Sequence, residues 1–191
     1  MQNPSISVRL TYRDILALPD DLLRHELIDG EHIVSPAPSI RHQRILRNLT
    51  VALAHYLAAH PLGEVLFAPL DVLFSEHDMV EPDLIYISED RKRRQLNEQR
   101  LVGPPDLAVE VLSPSTRRLD ETRKLRLYER FGVSEYWLID PDEETLRIHR
   151  LVKERLVLAI LLTRAAAGDD ARDLSTPLLP GLAIPLGAIF E

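Results

Sequence analysis

The segment Leu107-Ala108-Val109-Glu110-Val111-Leu112, entered through Pro105-Asp106, constrains this chain more than any other. Strand alternation puts Leu107, Val109 and Val111 on one face and Asp106, Ala108, Glu110 and Leu112 on the other. The strand reads as buried, yet it carries a carboxylate at its centre. An ionised acid is prohibitively costly in an apolar interior without a cation or hydrogen-bond donors. Glu110 therefore either meets a partner or lines a cleft, and the plainer of these alternatives is a buried salt bridge to an arginine.

The rest of the chain supplies the elements around that strand. Thr11 with Asp14 three residues on forms a capping-box pattern for a short helix ended by Pro19. HELIDGEHIVSP (25–36) reads as a hairpin turning at Asp29-Gly30. Ser39 caps a long helix to about Ala59, with Leu46, Leu49, Leu53, Tyr56 and Leu57 on one stripe. Strand-like runs follow at 63–74, 83–88 and 105–112, separated by a charged stretch whose Arg91-Lys92-Arg93-Arg94 is expected on a solvated loop. A second helix is predicted over 118–131, stopping at Gly132, followed by a strand at 135–140 and a hairpin at 146–152 and 155–163. GDDARD (168–173) is expected as a mobile loop, and the Pro-rich end (177–190) is expected on the sheet edge. The sum is an α/β (α+β mixed sheet) fold, a mixed central sheet flanked by helices. It is expected as a single domain over 1–191, with a core at about 12–163 and a closing segment at 175–191.

Composition narrows the chemistry. The chain has no cysteine in 191 residues, which excludes disulfides, thiolate zinc, iron–sulfur clusters and cysteine nucleophiles. Metals are left with His and carboxylate ligands, which favours a hard ion, Mg²⁺ or Mn²⁺. None of the seven glycines forms GxGxxG or GxxxxGK[ST], so no nucleotide cofactor is expected. The longest apolar run, Leu156 to Leu162, falls well short of the roughly 20 residues that span a bilayer, and the polar start MQNPSISVR lacks a signal-peptide core, so a cytoplasmic protein without membrane contact is expected. Residues 64–90 hold eight carboxylates and no Lys or Arg, whereas 91–131 hold eleven Lys/Arg against six Asp/Glu. An acidic centre beside a basic rim is one reading of that asymmetry.

Asp83, in VEPDLIYIS, opens another apolar strand, and two carboxylates on neighbouring strands can share one divalent ion with a backbone carbonyl and waters. Pro-Asp itself occurs four times, and Asp106 reads as a strand-entry residue. Lys124 recurs with Tyr128 and Phe131 at helical spacing, which sets it beside the inward stripe; a plain Asp120–Lys124 or Glu121–Lys124 helix pair is the alternative. Glu26 is a candidate third carboxylate or a partner for Arg24. His42, in the first turn of the long helix, is a further candidate. No nucleophile-elbow serine is present.

These residues carry a resemblance. RHELIDGEHIVSPAPSIRHQ, VEPDLIYIS, PPDLAVEVLSPST and RKLRLYERFGVSEYWLIDP, in that order, resemble the Uma-two family (DUF820) of bacterial restriction endonucleases in the PD-(D/E)XK nuclease superfamily, from about Tyr12 to Phe190. The resemblance implies a restriction-endonuclease-like core and metal-dependent hydrolysis of nucleic-acid phosphodiesters, with DNA as the expected substrate. Asp83 matches the Asp of the PD motif and Glu110 the acid of (D/E)XK. The lysine expected two residues after Glu110 is replaced by Leu112, and Lys124 from the following helix is the matching substitute. Glu26 matches the early ELIDG glutamate. Asp83, Glu110 and the Val111 carbonyl would hold the Mg²⁺ or Mn²⁺. Arg91, Lys92, Arg93, Arg94, Arg117, Arg118 and Arg123 would contact phosphates, and a homodimer is the superfamily's expectation. A non-catalytic nucleic-acid- or protein-binding member of the fold is the main alternative. A carboxylate-pair glycoside hydrolase ranks below it, because aromatics are only 5% of the chain.

Overall fold

The computed structural model describes residues 9–19, 21, 23–164 and 173–191. In order the elements are α1 (Tyr12–Leu16), β1 (Arg24–Ile28), β2 (Glu31–Ser35), α2 (Ile40–Ala59), β3 (Gly63–Phe67), β4 (Val72–Ser75), β5 (Asp78–Val80), β6 (Leu84–Ser88), α3 (Glu89–Gln95), β7 (Leu101–Val102) and β8 (Leu107–Val111). A π-helical turn (Leu119–Lys124) then runs into α4 (Leu125–Phe131), followed by β9 (Glu135–Asp140), β10 (Thr145–Val152), β11 (Arg155–Thr163), β12 (Leu174–Thr176), β13 (Leu179–Ile184) and α5 (Leu186–Phe190).

Local chemistry explains most boundaries. The Thr11–Asp14 capping box forms, and the Ser39 side chain accepts the His42 N–H at the start of α2. Asp29 and Gly30 both take positive φ, as a two-residue turn of twisted strands requires, and Ile28 pairs with Glu31 across it. Gly132 closes α4 in the left-handed conformation.

The large sheet has the order β11-β10-β9-β8-β6-β3, antiparallel throughout except for the parallel β8–β9 pair. That pair is parallel because the helical segment 119–131 carries the chain back across the sheet. A second sheet, β2-β1-β5-β4-β7, faces the large one. One side of the large sheet packs against α2 through Leu46, Leu49, Leu53 and Leu57. The other packs against the second sheet and α4, with Ile85, Ala108 and Tyr136 meeting Ile28, Val80 and Tyr128. Leu49 and Leu53 are wholly buried, each burial worth about 1.5–3 kcal/mol.

Four sequence expectations need correction. The run 63–74 is two strands in different sheets, broken at Ala68-Pro69-Leu70-Asp71, and the short strands β5 and β7 were not anticipated. Arg91–Arg94 lie in α3 and not on a loop, because Glu89 and Asp90 supply first-turn acids and i,i+4 partners to Arg93 and Arg94. The closing segment forms the β12–β13 hairpin and α5, and these join the core shared with α2 and the sheet face, because Leu179, Leu182, Ile184 and Ile189 alternate or recur inward. The helix predicted over 118–131 begins as a wider turn. Of the expected 168–173 loop, residues 168–172 lie outside the described residues.

Candidate active site

Pairing of β6 with β8 in the register Leu84↔Val109 brings Asp83, just before β6, beside Glu110 and Val111 at the end of β8. The Val111 N–H donates to Asp83 Oδ2 at 2.8 Å. His42 Nε2 donates to the same oxygen at 2.9 Å from the first turn of α2, and Arg24 Nη1 of β1 donates to Oδ1 at 2.9 Å. Burial works to raise the Asp83 carboxyl, but the hydrogen bond from His42, the charge of Arg24 and the Val111 N–H prevail and hold it at about 2. Asp83 is thus an anion at neutral pH, with capacity left for one more partner among about four lone-pair sites.

Glu110 shares the Ala108 face of β8, opposite Val109 and Val111, and points toward the second sheet while lining the same cleft as Asp83. Its Oε1 accepts from Lys124 Nζ at 3.0 Å and from Tyr128 OH at 3.0 Å, leaving Oε2 for the cleft. Lys124 Nζ also lies 2.9 Å from Glu26 Oε1 and 3.5 Å from Asp120 Oδ1. Glu26 is fully buried and accepts the Glu81 N–H. Burial disfavours the Lys124 ammonium, but Glu110, Glu26 and Asp120 together hold its pKa well above the ordinary lysine value. Lys124 is therefore the protonated member of its pair with Glu110, although burial also lifts Glu110 itself. Burial raises Asp120 to about 6.

Four buried carboxylates, Glu26, Asp83, Glu110 and Asp120, thus face two permanent cations, Lys124 and Arg24. Glu26 Oε2 and Asp120 Oδ1 are buried with no hydrogen-bond partner, as is His42 Nδ1. Buried polar atoms left unpaired are uncommon and call for a reason. Among the described residues no three His, Asp or Glu side chains form a preformed metal cage. The physical reason is that Glu26, Glu110 and Asp120 converge on the Lys124 ammonium. The surplus of carboxyl groups over cations and the spare oxygens still fit a hard divalent ion that keeps most of its waters and takes one or two carboxylates. Asp83, Glu110, Val111, His42, Asp120 and Lys124 line one open cleft of about 230 Å³.

The structure thus brings Asp83, Glu110, Val111, Lys124, Glu26 and His42 together. It does not bring the basic run to them. Arg91 pairs with Asp106 at the entry of β8, Lys92 pairs with Glu64, and α3 follows the far end of β6. Five residues of strand, about 17 Å at roughly 3.3–3.4 Å each, separate that end from Asp83. Arg123 turns away to Glu31 and the Ile28 carbonyl. Arg117 stays at the cleft end but is bound to Asp140, and Arg118 beside it is exposed. Sequence reading missed the role of Arg24 on Asp83 and of Asp120 and Tyr128 around Glu110. Arg24 and Glu26, two apart on β1, share an inward face, and that alternation was the available signal.

A family model described as "putative restriction endonuclease" matches residues 12–187. The chain belongs to the Uma2 family. This Uma2 chain is also similar to a solved structure, a "putative nuclease belonging to DUF820" from Anabaena variabilis ATCC 29413, with a TM-score of 0.76 at 20% identity over 95% of this chain and 97% of that one. At that identity the likeness establishes the shared fold, a mixed α/β sheet assembly of the restriction-endonuclease-like kind. No curated protein matches the Uma2 chain. Among its described residues, no helix is long and apolar enough to cross a membrane.

Proposed function

We propose that this protein is a Mg²⁺- or Mn²⁺-dependent nuclease that hydrolyses DNA phosphodiester bonds. The observation that carries the reading is the placement of Lys124. A helix fourteen residues downstream of Glu110 returns an ammonium to within 3.0 Å of its carboxylate, at the strand end where Asp83 also sits. This restores the acid, acid and lysine set that Leu112 interrupts in sequence. Family membership supports the same reading.

Asp83, Glu110 and the Val111 carbonyl would hold the ion, which when bound supplies a lowered water pKa and positive charge against the phosphate. Everything else falls to the chain. Arg24 and His42 fix the Asp83 carboxylate in its anionic form and orientation. Tyr128 fixes Glu110 by its hydroxyl. Lys124, held protonated by three carboxylates, is unsuited to be a general base. Its role is to stabilise negative charge that develops on the pentavalent phosphate and to orient the attacking water. Arg118, exposed and two residues beyond the cleft-lining Thr116, would supply a phosphate contact.

The convergence of acids on Lys124 also favours a second reading, a nucleic-acid-binding member of the fold whose lysine takes the place of the ion. Incubation of supercoiled plasmid with Mg²⁺, Mn²⁺ or EDTA separates the two, using wild type beside Asp83→Asn and Glu110→Gln. Metal-dependent nicking that both substitutions abolish establishes the nuclease. DNA binding without nicking in wild type and variants alike establishes the binding module.

A further inference from the structure

A groove of about 350 Å³ continues from the catalytic cleft, within the roughly 300–1,000 Å³ of ordinary ligand clefts. The two share Arg24, the Ser35–Pro38 segment and His42 as a common wall. Beyond that wall the lining is mostly apolar, Leu23, Leu46, Ala68, Pro69 and Phe67, with the Gln43 amide at the α2 side and Glu81 as its one acid. Phe67 ends the edge strand β3, pairs with Leu84, and is therefore one strand and one residue from Asp83. Phe67 is 57% exposed, and it is the only aromatic among the exposed large hydrophobic residues of the described part of the chain. Phe74, Phe131 and Phe190 are all packed into core clusters. Scattered exposed apolar residues need no explanation. A lone exposed ring beside prolines, contiguous with a polyanion-cleaving cleft, is a different case.

We propose that this groove is a subsite for an unpaired nucleobase, stacked on Phe67, next to the phosphate held at Asp83 and Glu110. The inference rests on the nuclease reading and names its substrate class: DNA with a single-stranded segment at the cut. A base in a duplex is stacked on both faces and cannot reach a side pocket without being extruded, whereas an unpaired base offers its π-face at no such cost. Arg24 at the shared wall provides the cation where the backbone passes from groove to cleft, and Gln43 offers a donor and an acceptor to the base edge.

The test is equilibrium binding, with Ca²⁺ present, of a short single-stranded oligodeoxynucleotide carrying 2-aminopurine, beside the matching duplex. Wild type, Phe67→Ala and Phe67→Tyr are compared. Base stacking on one aromatic predicts quenching of 2-aminopurine by wild type, a loss of about five- to hundredfold in single-strand affinity for Phe67→Ala, and retention in Phe67→Tyr. Duplex affinity is expected to be unchanged by either substitution. Equal single-strand affinity and quenching in wild type and Phe67→Ala would overturn the subsite while leaving the nuclease reading intact. No binding of either DNA by wild type would remove both. If Phe67→Ala instead dissociates a wild-type dimer in sedimentation and DNA quenching is unaffected, the groove is a contact between two copies and the proposal fails.

Discussion

Lys124 Nζ, from the π-helical turn, lies 2.9 Å from Glu26 Oε1 on a strand of the second sheet, and both side chains are at least 98% buried. This contact ties the helix that follows β8 to the sheet that faces it. Removing one member of a buried ion pair leaves an uncompensated charge. Lys124→Met is therefore expected to lower stability by about 3–5 kcal/mol, measured by urea unfolding. Adding Glu26→Gln to Lys124→Met should recover part of that loss. If the two changes are simply additive, the pair contributes no coupling.

Asp83 depends on His42 for one of its three hydrogen bonds. Partners that orient a metal-binding carboxylate typically matter 10–100-fold in affinity or activity. His42→Ala should raise the Mg²⁺ concentration needed for half-maximal cleavage by about that factor. An unchanged Mg²⁺ titration would assign His42 to packing alone.

The α3 arginines stand at the end of β6 remote from Asp83 and are already paired with acids of their own helix. The double substitution Arg93→Ala and Arg94→Ala should leave DNA affinity and its salt dependence unchanged. Arg118→Ala, two residues beyond the cleft-lining Thr116, should weaken binding to all sequences alike and reduce the salt slope by about one phosphate contact. Filter binding across a salt series distinguishes the two.

Burial, with Asp71 and Glu26 nearby and only partly offset by Arg24, raises Glu81 to about 7. A carboxyl whose folded pKa exceeds its ordinary value binds its proton more tightly when folded. Its contribution is complete below about pH 4.5 and is lost as pH rises through about 7. Glu81→Gln should therefore flatten the fall of stability between those pH values, and its advantage over wild type should grow toward neutral pH. Urea midpoints taken across that range check the sign, and an unchanged slope would remove Glu81 from the account.

What the sequence determined by itself is local. Alternation in Leu107–Leu112 required a partner or a cleft for Glu110, the Asp29-Gly30 turn set the β1–β2 register, Ser39 started α2, and helical spacing put Lys124 on the stripe of Tyr128. Each follows from backbone period and turn chemistry within a few residues. Tertiary structure decided who meets whom. Glu110 could have paired with an arginine, and Lys124 with Asp120 alone. The parallel β8–β9 crossover laid the helix over Glu110, and the second sheet delivered Glu26 and Arg24 from far upstream. It also carried the basic run to the wrong end of β6. Charge counts along a chain cannot show this, because electrostatic proximity depends on strand order and direction, which arise from contacts distant in sequence.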